Sequence, residues 1–260
     1  MVTSIKESSD MNYKGNRGKI LIDGDIVSYR AAFYTQDKTP VDAEYRTDEI
    51  MSYILDQTLL FPDPSDYQVF LTGKNNFRFD IAKAAPYKGN RSNKPKPIHL
   101  EYVRGYLMSE YDAVMSDGQE ADDLIAIAAA DLDYNCTIAS VDKDFMQVPC
   151  WHFNFVKSVN NDFAKSDDDK KEPWVKVDYF EGIKFFYKQI LMGDSADNII
   201  GLYKVGPVKA DKILDGIDTE VGLWDAVVKA YDGNEERVLE NARLLWLQRY
   251  HGEVWQPPKE

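Results

Sequence analysis

Four short acidic groups carry the chemistry this chain could do: Asp23 and Asp25 in DGD, Glu120, Asp122 and Asp123 in EADD, Asp142 and Asp144 in SVDKDF, and Asp194 and Asp197 in MGDSADN. Taken singly, each has an ordinary explanation. Acids at a helix start serve as caps or partners of the helix dipole, and Asp25 or Asp144 alone could be a turn former. Brought together, the four groups would repel strongly, because none has an obvious basic partner nearby in sequence. Such a cluster is tolerable if cations occupy it. Oxygen-only ligands suit Mg²⁺ or Mn²⁺, whereas zinc favours His or Cys. His99, His152 and His251 are scattered without ligand spacing. Two such ions about 3.5–4 Å apart can activate a water and stabilise the leaving oxygen of a phosphoryl displacement. Serine or cysteine nucleophilic catalysis has no support, since no G-x-S-x-G elbow or paired Cys and His occurs.

The net charge of −13 runs against a nucleic-acid partner, because phosphate binding is driven by cations. Its distribution is more informative. Residues 110–150 hold ten acids and a single base, Lys143, whereas residues 81–100 hold Lys83, Lys88, Arg91, Lys94 and Lys96 and no acid. A solvated acidic face beside a basic loop is the plain reading of such runs. A second basic feature is the turn Gly201–Lys209, with Lys204, Lys209 and Lys212 and with Gly201 and Gly206. It reads either as a helix-to-helix turn or as a backbone approach to phosphate beside a helix N-terminus, gripping without reading sequence.

The elements that must position these groups follow from periodicity. Lys19–Ile22 reads as a buried strand running into a turn at DGD, Tyr67–Leu71 as a second strand, and Thr137–Val141 as a third ending in Asp142. Amphipathic spacing predicts helices over 48–60, about 98–114, Glu120–Ala130, Asp178–Leu191, Val208–Leu214, about 220–231 and 234–250. Strands alternating with helices argue for an α/β fold, a mostly parallel sheet flanked by helices, where ligands bind beyond the carboxyl ends of the strands. The organisation expected is a flexible tail at 1–18, an α/β body at 19–176 and a C-terminal helical lobe at 177–260. Residues 157–174 are polar and aperiodic. No apolar run is long enough for a membrane span, the N-terminus lacks a signal-peptide stretch, and Cys136 and Cys150 make no disulfide framework, so a cytoplasmic protein is expected.

DGD, YKGNR at 87–91, EADD, SVDKDF and MGDSADNI occur in the order found in 5′-nucleases. The chain resembles that family, which takes in flap endonucleases and the 5′→3′ exonuclease domain of bacterial DNA polymerase I, and is most similar to the 5′→3′ exonucleases of short-tailed coliphages. The resemblance implies a PIN-like body, an arch or loop at about 80–112 over the active site, and a helix-hairpin-helix-type motif in the helical lobe. It implies two Mg²⁺ or Mn²⁺ ions held by Asp23, Glu120, Asp122, Asp142 and Asp144 on the inner side and Asp194 and Asp197 on the outer, with Asp123 supporting the second site. Lys88 and Arg91 would act at the scissile phosphate. Lys83, Lys88, Arg91, Lys94, Lys96, Gly201, Lys204, Gly206 and Lys209 would bind DNA, with K⁺ at the hairpin. The implied partner is duplex or flapped DNA, with RNA–DNA hybrid as a further substrate, the protein acting as a monomer in a phage-infected host cell.

Two departures from the family pattern are expected to matter. The family's aspartate after the second strand is missing from Phe70-Leu71-Thr72-Gly73, where the spacing puts Gly73 in the acid's place, with Asp25 a candidate substitute ligand. In the hairpin, Lys204 stands at a usual glycine and Val208 at a usual lysine. Two rival readings share the acidic edge: a PIN-type ribonuclease, and a structure-specific DNA-binding protein with weakened catalysis.

Overall fold

The computed structural model describes residues 18–59, 66–91, 95–156 and 172–259; the N-terminal tail, most of the polar stretch 157–174 and Lys94 lie outside them. The strands β1 (Lys19–Asp23), β2 (Tyr67–Lys74), β3 (Val114–Asp117), β4 (Cys136–Ala139), β5 (Trp151–Phe153) and β6 (Trp174–Lys176) form one sheet in the order β3-β2-β1-β4-β5-β6. Strands β1 to β5 run parallel and β6 joins antiparallel. The chain works outward from β1 through β2 to β3, then returns to the other side of β1 with β4. The strand order therefore reverses between β1 and β4, and a crevice opens there beyond their carboxyl ends.

Side chains of a strand alternate between faces, and the helices cover both. Helices α1 (Gly24–Tyr34), α2 (Pro40–Thr58) and, past the short α3 (Arg78–Ile81), α4 (Leu100–Glu110) pack on the face made by Ile20, Ile22, Val69 and Leu71. Helix α5 (Ala121–Asp131) packs on the opposite face, against Leu21, Phe70 and Ile138. Beyond the sheet, α6 (Tyr179–Met192), α7 (Pro207–Ile213), α8 (Glu220–Ala230) and α9 (Glu235–Leu245) enclose a third core around Phe186, Ile190, Leu223 and Ala242. Helix α6 starts at a capping box in which Asp178 and Glu181 accept each other's backbone N–H.

The three central strands and the later helices fall where periodicity predicts them, but DGD is not a turn. Asp23 instead caps α1, its carboxylate accepting the Ile26 N–H at 3.1 Å. Helix α2 begins at Pro40, eight residues before the expected start, because Thr39 and Asp42 form a capping box there. Within the region expected as an arch, the helix expected at about 98–114 is α4, which buries Val103 and Leu107 against α1 and α2.

One ion pair fastens these layers together. The Arg78 guanidinium grips Asp123 through two bonds of 2.6 and 2.8 Å and donates to the carbonyls of Leu244 and Trp246 at 2.9 and 2.8 Å. Arg78 is 2% exposed and Asp123 0%. Buried charges of this kind are costly to leave alone, so removing one partner strands the other. We predict that Asp123→Ala lowers unfolding free energy by about 3–5 kcal/mol, measured by chemical denaturation; a change under about 1 kcal/mol, the value of an exposed pair, would contradict this role.

Candidate active site

The crevice at the strand reversal is a cleft of about 490 Å³, lined by eight carboxylates from four parts of the chain: Asp23 and Asp25, Glu120 and Asp122, Asp142 and Asp144, and Asp194 and Asp197. Asp23 comes from the end of β1, Glu120 is the N-cap of α5, and Asp142 caps the short 3-10 helix Lys143–Gln147 after β4. Asp194 and Asp197 arrive on a tight hairpin, where β7 (Gly193–Asp194) pairs antiparallel with β8 (Ile199–Ile200).

Hydroxyls and backbone amides fix the inner acids. Ser140 Oγ donates to Asp23 Oδ2 at 2.7 Å and accepts the Asp142 N–H at 3.0 Å, joining the ends of β1 and β4. Asp142 Oδ1 accepts the Asp144 N–H at 2.9 Å. Cations stitch the outer acids. Lys88 pairs closely with Glu120 and lies 3.7 Å from Asp197, Arg91 pairs closely with Asp197, and Lys143 reaches Asp194 at 2.9 Å. Tyr87 donates towards both Glu120 and Asp197, at 2.9 and 2.8 Å. Lys88 sits at φ +53°, a left-handed conformation uncommon for a side-chain-bearing residue, with its N–H donating to the Asp197 carbonyl at 2.9 Å. YKGNR is thus clasped onto the hairpin, with Asn90 and Arg91 also donating to the carbonyls of Ser195 and Ala196.

Burial and like charge raise the proton affinity of the inner acids. Asp23 is pushed up to about 7 by burial and then by Asp25 and Asp142. Asp144 is pushed up to about 7 by burial, Asp142 and Asp194. Asp122 is raised well above the usual range by burial and then Asp23, and Asp142 is also raised, chiefly by burial. Asp194 goes the other way: against its burial, Lys143 and two backbone N–H groups hold it low. Among the described residues no three acid, histidine or cysteine side chains are arranged to hold one ion; the Lys88 ammonium lies between Glu120 and Asp197 and that of Lys143 pairs with Asp194. The donor set is all carboxylate, and its crowding is what a divalent cation relieves, so its chemistry fits Mg²⁺ or Mn²⁺.

Several expected residues are placed elsewhere. Asp123 faces away from the cleft into the Arg78 pair, because successive helix residues point about 100° apart and only Asp122 is turned inward. Asp25 lines the cleft, but Arg104 takes its Oδ1 and the Thr72 N–H its Oδ2, so it does not stand free as a substitute ligand. Gly73 is no vacated ligand position. A Cβ there would lie 1.9 Å from the Ser116 carbonyl, so its side-chain direction is closed by β3. Thr72 is the residue of that strand end that lines the cleft, with its Oγ1 accepting the Ala121 N–H at 2.9 Å. Gly201 is required by packing, since a Cβ would lie 2.1 Å from Met192 backbone, whereas Gly206 has open space around it. Lys83 and Lys96 are exposed beside Glu236 and Glu101, and Lys204 and Lys209 are exposed on the turn before and within α7. Tyr87 and Lys143 are cleft-side residues that lie inside the YKGNR and SVDKDF motifs. Arg104 and Thr72 had no signal short of the tertiary contact.

A mostly parallel α/β sheet with an acidic crevice at its strand reversal, beside a clasped basic loop, defines a resolvase-like domain. The chain belongs to the 5′-3′ exonuclease family: the model for its N-terminal resolvase-like domain matches residues 18–176. Relatives include DNA polymerase I of Bacillus caldotenax, 29% identical over 212 residues, covering 75% of this chain and 23% of the polymerase. The 5′-3′ exonuclease of Buchnera aphidicola is 28% identical over 210 residues, covering 75% of this chain and 69% of that protein. The chain thus spans about a quarter of the length of its polymerase relatives. Its fold is like that of the T5 5′-exonuclease bound to zinc, with TM-score 0.62, 17% identity, and 88% and 89% of the two chains covered. A T5 flap endonuclease in a pseudo-enzyme-product complex with DNA and metal ions matches at TM-score 0.62 and 17% identity, with 88% of each chain covered. Among the described residues no helix is long and apolar enough to cross a membrane.

Two predictions follow from this geometry. Gly73→Ala and Gly73→Asp should both lose about 1–3 kcal/mol of stability by overpacking, measured by chemical denaturation, and leave the divalent-ion requirement of the folded protein unchanged. A lowered Mg²⁺ requirement in the aspartate variant alone would restore the vacated-ligand account. The second concerns pH. Between about 4 and about 7 the folded protein holds protons on Asp23 and Asp144 that the unfolded chain has released. Their stabilising contribution is full at low pH and is lost as pH rises through about 7. Divalent ions bind the deprotonated form, so Mg²⁺ should raise the thermal midpoint more at about pH 8 than at about pH 5. Equal shifts at both would exclude these carboxylates as the binding groups.

Proposed function

We propose that this protein cleaves phosphodiester bonds in DNA from the 5′ end, acting on duplex and flapped substrates with Mg²⁺ or Mn²⁺, with RNA–DNA hybrid as a further substrate. The observation that carries the reading is the convergence of eight carboxylates from four segments on one cleft that also contains Lys88 and Arg91. The relatives named as exonucleases and the T5 complex titled with DNA and metal ions support it.

Asp23, Glu120, Asp122, Asp142 and Asp144 would hold divalent ions on the inner side and Asp194 and Asp197 on the outer. When bound, those ions supply charge neutralisation for the attacking and departing oxygens of a phosphoryl displacement. The chain's own cations orient the substrate. Lys88 and Arg91 now neutralise Glu120 and Asp197; with ions taking over that task, they are free to hold the scissile phosphate and offset its developing charge. Lys88 is preset for this, because its left-handed backbone and its bond to Asp197 fix where its side chain leaves the loop. The exposed Lys204 and Lys209, with the open backbone at Gly206, suit a sequence-independent grip on duplex phosphates in the manner of a helix-hairpin-helix, with K⁺ at the turn. The unit we propose is a monomer with its nuclease body at 19–176 and its helical lobe at 177–260.

The test uses 5′-labelled duplex, flapped and RNA substrates with Mg²⁺ or chelator. The wild type should release product from the 5′ end of DNA, and chelator should abolish release. Asp142→Asn should lose cleavage by at least about 100-fold, with duplex binding retained. Lys209→Ala should weaken duplex binding and lower its salt dependence by about one ion. Preference for RNA would favour the PIN-type ribonuclease, and binding without turnover in Mn²⁺ would overturn the catalytic reading.

A further inference from the structure

Residues Leu244–Gln248 cross the interior behind the cleft, and polar side chains from the other layers hold their backbone. Arg78 donates to the carbonyls of Leu244 and Trp246. Gln147 Nε2 donates to the Leu245 carbonyl at 2.8 Å, and its Oε1 accepts the Leu247 N–H at 3.3 Å. Asp123 Oδ1 accepts the Gln248 N–H at 3.2 Å.

Two of these side chains also lead to the acids. Gln147 Nε2 donates to Gln189 Oε1 at 2.8 Å, and Gln189 Nε2 donates to Asp144 Oδ1 at 2.7 Å. Asp123 Oδ2 accepts the Glu120 N–H at 3.1 Å. Gln147 and Gln189 are each 1% exposed. Their amide orientations follow from the network: Gln147 Oε1 accepts the Leu247 N–H, so its Nε2 faces Gln189 Oε1, which leaves Gln189 Nε2 towards Asp144. Asp144 also lines the cleft.

We infer that the segment Leu244–Gln248 is a positioning element of the metal-binding cleft: through Gln147 and Gln189 it orients Asp144, and through Asp123 it anchors the first turn of α5 that carries Glu120. The inference rests on the metal-dependent reading proposed above. Neither Gln189 nor this segment lies within the family-matched residues 18–176, so the site is completed from outside them. A partner behind a ligating carboxylate acts on metal affinity without touching the ion.

Mn²⁺ binding to the full chain by calorimetry tests this, with Gln189→Met, Gln147→Met and a remote control, Thr47→Val, which removes a buried bond to the Ala43 carbonyl within α2. Gln189→Met should weaken Mn²⁺ binding on the order of tenfold and raise the Mg²⁺ needed for half-maximal cleavage in parallel. Duplex binding without divalent ions should be unchanged. Gln147→Met, which touches no acid of the cleft, should shift Mn²⁺ affinity in the same direction, and Thr47→Val should not. Should Gln189→Met fail to fold, Gln189→Leu removes the same donor without adding a carboxyl group and reads the same affinity. Wild-type Mn²⁺ affinity in a folded Gln189 variant overturns the inference, as does a silent Gln147→Met. Absence of Mn²⁺ binding in the wild type overturns instead the metal-dependent reading beneath it.

Discussion

Eight carboxylates in one cleft repel one another, and much of the architecture exists to make that arrangement stable. Three kinds of compensation act at once. Helices α1 and α5 both begin at this edge, so Asp23 and Glu120 sit where backbone N–H groups and the positive end of the helix dipole favour negative charge. Ser140 and the turn amides bind individual oxygens. Lys88, Arg91, Lys143 and Arg104 supply positive charge from four different directions. What these do not cancel shows as a raised proton affinity at Asp23, Asp122, Asp142 and Asp144.

The net charge of −13 follows in part from this cleft, and it need not oppose a phosphate-bearing partner. Local charge decides such contacts, because exposed charges beyond a Debye length are screened. Lys88 and Arg91 of the clasped YKGNR loop line the cleft beside the acids, and Lys204 and Lys209 are exposed on the turn before and within α7.

Much of this was legible because it is periodic or local. The apolar runs of β1, β2 and β4, the acids at their ends, and the amphipathic later helices obey spacings that survive without knowledge of the partner element. The misplacements came from single-residue steps. Along β2 the side-chain period is two, so reading Gly73 in place of Thr72 exchanges a position facing the cleft for one closed by β3. At the start of α5 the same step separates Asp122 in the cleft from Asp123 in the interior. Strands β5 and β6, three residues each, are too short to show a pattern, and β3 exposes three of its four residues, so it carries no apolar run. Arg78, Gln147 and Gln189 carried no signal at all, since their roles exist only through partners 42 to 168 residues distant.

The separation of 166 and 168 residues between Arg78 and the carbonyls it holds also bears on the order in which the molecule is assembled. Contacts that close so long a loop are rewarded only after its entropy has been overcome, which slows their formation. During synthesis the central sheet leaves the ribosome before Leu244–Gln248, by several seconds at about 5–20 residues per second. Until that segment docks, Arg78 and Asp123 have each other but lack the Leu244 and Trp246 carbonyls and the Gln248 N–H, and Gln147 lacks its anchor. The bonds that tie Arg78, Asp123 and Gln147 to Leu244–Gln248 are therefore among the last to close, although that five-residue stretch forms no wall of the cleft.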